Sequence, residues 1–63
     1  MSDSILLSID FNSGELFDKS SPKKESDIEK FIKRMNQDKQ SSPARELHAF
    51  QLFKNGTAQE ISA

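Results

Sequence analysis

The side chains with the widest chemical reach are few. There is one histidine, His48, no cysteine, only two glycines, and acids and bases nearly balance at a net charge of −1. Acyl transfer by a serine–histidine–acid set needs the histidine within hydrogen-bond reach of a nucleophile and a third group to orient it. His48 lies in Leu47-His48-Ala49-Phe50 with no glycine-framed nucleophile turn beside it, so it reads as an ordinary surface or edge residue. One imidazole without a thiolate cannot supply a structural zinc site from a single chain. Asp10, Asn12, Gly14 and Asp18 have the alternation of a calcium loop, but Glu15 stands at its glycine position and Ser21 where the bidentate acid belongs. These residues read as turn chemistry instead. Gly14 and Gly56 fall in separate turns and cannot form a phosphate-cradling loop together. No catalytic residue, metal ligand or cofactor is expected, no small-molecule substrate is evident, and an enzyme is not the reading.

The bases carry a different chemistry. Residues 1–18 hold four acids and no base, whereas residues 19–45 hold eight bases and four acids. Lys19, Lys23, Lys24, Lys30, Lys33 and Arg34 are therefore candidates for electrostatic contact with phosphates. Acids interleave with them, and no Trp or Tyr offers a stacking platform, so a solvated face is the simpler account.

The elements that must position these groups follow from periodicity. Ile5, Leu7, Ile9 and Phe11 alternate with Ser8 and Asp10, the pattern of a half-buried strand. Asn12-Ser13-Gly14 suits a type I turn followed by a left-handed glycine, and Leu16 and Phe17 begin a return strand that fades toward Pro22. Ser26-Asp27-Ile28-Glu29 has the form of a capping box, and Ile28, Phe31, Ile32 and Met35 make a helical stripe behind it, with Lys30, Lys33, Arg34 and Gln37 opposite. The polar run 37–42 reads as a fraying helix end and loop.

The last third supports two readings. Asn55-Gly56 marks either a hairpin turn or the glycine cap of a helix. Pro43 at a first helical position, the absence of β-branched residues from Ala44 to Lys54, and a second capping box at Thr57-Ala58-Gln59-Glu60 favour helices. On that reading Leu47, Phe50 and Phe53 share a face.

Sixty-three residues make one domain, 1–63, and a chain of this size buries only about 60 % of the surface its unfolded form exposes. Five Leu, five Ile and five Phe supply one thin core. Without disulfides or a metal, oligomerisation or a partner is the remaining source of stability. The longest apolar stretch, Ile5-Leu6-Leu7, is far below the roughly 20 residues of a membrane-spanning helix, so no membrane association is expected. Met1-Ser2-Asp3-Ser4 lacks the basic start of a secretory signal, and with no cysteine a cytoplasmic location is expected.

The fold expected is α+β: an N-terminal β-hairpin (5–18) packed on an amphipathic helix (about 26–37), a loop (38–42) and a helical C-terminal third (43–63). A ββαββ sheet with one helix is the alternative. The expected core is Ile5, Leu7, Ile9, Leu16, Ile28, Phe31, Ile32, Met35, Leu47 and Phe50. The expected function is a non-enzymatic protein–protein interaction module, an adaptor or regulator that is dimeric or partner-stabilised. Its candidate partner-binding residues are Lys23, Lys24, Lys30, Lys33, Arg34, Phe50 and Phe53. The alternative is a nucleic-acid-binding transcriptional regulator using the basic segment 19–34.

Overall fold

A computed structural model describes residues 4–62; the readings on residues 1–3 and 63 lie outside them. Its elements run β1 (Ser4–Asp10), β2 (Glu15–Ser20), α1 (Glu25–Ser41), β3 (Leu47–Phe53) and β4 (Ala58–Glu60). The strands form one antiparallel sheet in the order β2-β1-β3-β4, with the helix across one face. The class is α+β.

The first hairpin turns where the sequence places it. Gly14 adopts φ +75°, and its amide donates to the Asp10 carbonyl at 2.6 Å. The return strand is longer than expected, because a bulge opposite Ser8 and Ile9 leaves Phe17 as an extra residue and pairing then resumes to Ser20. Phe17 packs against the helix-side core beneath the Arg45 guanidinium, 4.9 Å from the ring centre.

The helix starts one residue before the expected cap. Asp27 performs the glutamate's part of the box, accepting from the Lys23 and Lys24 amides at 2.8 and 3.2 Å. It also runs past residue 37 to Ser41, since Gln37 to Gln40 contain neither glycine nor proline and exposed polar residues cost little there. Pro43 stops it: the residue before a proline is steered out of the α region, and Ser42 sits at φ −134°, ψ 77°.

The last third is not helical. Residues 47–60 form a hairpin whose turn holds Gly56 at φ +91°, with the Gly56 amide on the Phe53 carbonyl and the Phe53 amide on the Thr57 carbonyl. Asn55 keeps a negative φ, so the turn is a type I turn closed by a left-handed glycine rather than type I′. Helix propensity loses here to long-range pairing: β3 matches β1 from Ser4↔Phe53 to Asp10↔Leu47, and no local pattern reports that ladder. The expected final capping box is instead β4, after which Ile61 packs against the core with its amide on the Ala49 carbonyl.

The sheet is also turned over relative to expectation. Leu6, Ser8 and Asp10 of β1 are buried toward the helix, and Ile5, Leu7 and Ile9 point away from it. The core is Leu6, Leu47, Ala49, Phe31 and Met35, with Ile28 packed partly against it. Size accounts for the choice. Ser8 and Ala49 sit opposite each other, and this small pair leaves room beneath α1 for the bulk of Phe31 and Met35. Ile5, Leu7, Ile9, Leu16 and Phe50 are therefore not core residues, and Ile32 is a half-buried residue at the helix rim.

Candidate interaction surface

The sheet face turned away from α1 can be read row by row from the strand register, because directly paired residues share a face. One row is Lys19–Leu7–Phe50–Glu60 across all four strands. On one side of it lies Leu16–Ile9–His48, on the other Ile5–Leu52–Ala58. Phe11 extends the face past the end of β1, held by its amide on the Glu46 carbonyl at 2.8 Å. Its ring lies 4.4 Å from the His48 ring and stacks at 6.0 Å on Phe50. Three large apolar residues here are exposed: Ile5 by 37 %, Phe11 by 52 % and Leu16 by 55 %. Scattered exposed apolar residues are ordinary, but a contiguous set, here interrupted only by His48 within the face, is the composition of a binding surface.

The buried carboxylate of Asp10 fixes one end of this face. Its Oδ1 accepts the Asn12 amide at 3.0 Å and the Glu46 amide at 3.3 Å, and Arg45 Nη1 lies 3.6 Å from Oδ2. Asn12 Nδ2 in turn donates to the Ala44 carbonyl. The Asn12 amide first, then the Glu46 amide and the charge of the Arg45 guanidinium, hold the Asp10 carboxyl below the usual aspartate range against the opposing effect of burial. Asp10 thus clasps the first turn to the segment leading into β3, a structural task that explains an acid on the inner face.

His48 sits between two acids. Nδ1 is 3.0 Å from Glu60 Oε2 and Nε2 is 3.2 Å from Glu46 Oε2. These hydrogen bonds, Glu60's first, raise the imidazole above its ordinary range, while His48 and then Ser62 lower Glu60. The Ser62 hydroxyl donates to Glu60 Oε2 at 2.9 Å and not to the imidazole, so the set is not a nucleophile–base pair. It ties β4 and the segment beyond it to β3.

The basic residues do not form one surface. Lys23, Lys30 and Arg34 converge on a 310 Å³ cleft with Ser20, Ser21, Asp27 and Phe31. Lys33 lies on another part of the helix beside Glu29, Ile32 and Gln37, and Lys24 is the exposed N-cap residue of the helix, with no side-chain cap hydrogen bond. Arg34 is held by Asp18 at 2.6 Å and lies over the Phe31 ring. The Lys23 amide above all, with that of Lys24 and the nearby charges of Lys24 and Lys30, lowers the Asp27 carboxyl.

Phe50 and Phe53, expected together, are on opposite faces of β3: Phe50 on the open face, Phe53 on the helix side. Sequence reasoning missed Leu7, Ile9 and Leu52 as surface residues. The available signal was that 5–11 and 47–53 carry apolar residues on both parities, more than one helix can cover. Among the described residues no helix is long and apolar enough to cross a membrane, and no three His, Cys, Asp or Glu side chains gather as metal ligands. No protein family, curated protein or solved structure matches the chain.

Proposed function

We propose that the protein is a non-enzymatic interaction module, an adaptor or regulator that docks to another protein surface through the open face of its sheet. One observation carries the reading: Ile5, Leu7, Ile9, Phe11, Leu16, Phe50 and Leu52 share the face opposite the helix, and no element among the described residues lies over it. The edges are poor alternatives. β4 is only three residues long, and β2 carries Asp18 and Lys19, the short and charged features that discourage edge pairing.

The test compares the two faces. At submicromolar concentration the folded chain should bind a dye specific for exposed apolar surface. Phe50→Ser should remove most of that binding without changing the far-ultraviolet circular dichroism, whereas Lys33→Glu should leave it intact. A folded wild-type chain that binds no dye refutes the reading. Nucleic-acid binding is the second reading, supported by the convergence of Lys23, Lys30 and Arg34 in one cleft and weakened by Asp27 and Asp18 beside them. It requires oligonucleotide binding that falls steeply with salt and is lost in Lys30→Glu.

A further inference from the structure

We infer that the occupant of the open face is a second copy of the same chain, packed sheet on sheet about a two-fold axis parallel to the strands. The inference rests on the docking reading above and adds the partner and the geometry.

The central row, Lys19–Leu7–Phe50–Glu60, runs from a base at the β2 edge to an acid at the β4 edge. In aligned packing, two sheets can face each other about an axis along the strands or about one across them. An axis across the strands lays β2 over β2 and β4 over β4, so lysine faces lysine and glutamate faces glutamate. An axis along the strands lays β2 over the partner's β4 and β1 over its β3. Lys19 of each copy then meets a glutamate at the far edge of the other, twice by symmetry, and Leu7 meets a phenylalanine. Of the neighbouring rows, the one through Ile5 agrees, since Ile5 comes over a leucine; Ile9 comes over an imidazole held between two carboxylates. Of the two, only the axis along the strands avoids like charges at the rim.

The size is consistent with a weak, specific dimer. Strands spaced about 4.8 Å apart and rising about 3.3 Å per residue give a face of about 400 Å² per copy in projection. Both copies together reach about 800 Å² before side-chain relief is added, below the roughly 1,200–2,000 Å² of stable complexes and in the range of transient ones, and we set the expected dissociation constant on the order of 10 µM. The chain's own thin core gives the pairing a second role, because covering Leu7, Ile9 and Phe50 adds the apolar burial that one helix does not supply.

Sedimentation equilibrium with charge reversal tests the inference. The wild-type chain should dimerise in the micromolar range, and Lys19→Glu alone and Glu60→Lys alone should each weaken it about tenfold. An equal mixture of the two variants should recover wild-type affinity, since each chain then meets an opposite charge at both edges. That recovery has no explanation within one chain: Lys19 and Glu60 lie on opposite edges of the sheet, about 14 Å apart. Glu60→Lys also breaks the contact with His48, a loss that mixing cannot repair, so the mixture separates a pairing effect from a folding one. A wild-type chain that stays monomeric at roughly ten times the expected constant overturns the inference, as does a dimer indifferent to both reversals or one that mixing does not restore. If the chain is monomeric yet the dye still binds and is lost in Phe50→Ser, docking stands with a different protein as occupant. If the dye does not bind either, both readings fall.

Discussion

Leu6 and Leu7 are the same residue type in the same strand, and their substitution separates the two ways of facing the sheet. Leu6 is fully buried against Phe31, Met35, Leu47 and Ala49. Its replacement by alanine removes that contact and leaves a cavity, a cost of about 3 kcal/mol. A domain of this size has only about 3–5 kcal/mol of stability, so Leu6→Ala should keep about 0–2 kcal/mol and unfold at a low urea concentration. Leu7 is half-buried on the open face, and its alanine variant loses only part of a transfer free energy, about 1 kcal/mol. The chain has no Trp or Tyr, so urea unfolding is followed by far-ultraviolet circular dichroism. With a slope of about 1 kcal/mol per molar urea, the two midpoints should differ by about 2 M. Submicromolar protein keeps self-association out of the comparison. The strand pattern read alone gives the opposite order, with Leu7→Ala the damaging change. Equal costs, or a larger cost at Leu7, would refute the assignment of faces and with it the surface on which the functional reading stands.

Three further outcomes follow from the same structure. Ser8 Oγ is buried and has no hydrogen-bond partner among the described residues, so Ser8→Ala should raise stability by about 1 kcal/mol in urea unfolding. Gly14 and Gly56 have open space where a Cβ would stand but positive φ, so alanine at either should cost about 1 kcal/mol through backbone strain alone, and asparagine less. His48 is raised above its ordinary 6.5 in the folded chain, so its contribution is complete below pH 6.5 and lost as pH rises through the raised value. Glu60 is lowered below 4.5, so its contribution is complete above pH 4.5 and lost as pH falls through the lowered value. The cluster therefore stabilises most between those limits, and His48→Gln should flatten the decline above pH 6.5 in a series of unfolding curves.

The helix and the first hairpin were legible because their signals are local. Phe31 and Met35 lie where the stripe puts them, and Gly14 has the positive φ its turn requires. The facing of the sheet was not legible. Alternation tells which residues share a side of a strand, not which side the helix covers, and here the more apolar side of β1 is the uncovered one. Ser8 and Ala49, small residues paired on the covered side, show their role only once β1 and β3 are laid together. The second hairpin failed for a related reason: Leu47 to Phe53 has the composition of a helix, and only its ladder with β1 makes it a strand. The basic cluster was recognised residue by residue, but Asp18 and Asp27, which divide it, come from a strand and from the helix's own first turn.

The ladder between β1 and β3 has a kinetic consequence. Each hairpin closes over a few residues, whereas the contact that joins them sets Ser4 beside Phe53 and Asp10 beside Leu47. Two hairpins that are marginal alone must therefore wait for one long closure, with α1 as the tether, before either gains a covered face. Folding should be slow for so short a chain and governed by that single encounter. A chain nicked between Ser42 and Glu46 should yield two fragments, one of them β1, β2 and α1 and the other β3 and β4, that regain structure only when mixed. Its second half behaves toward its first as a ligand does toward a receptor.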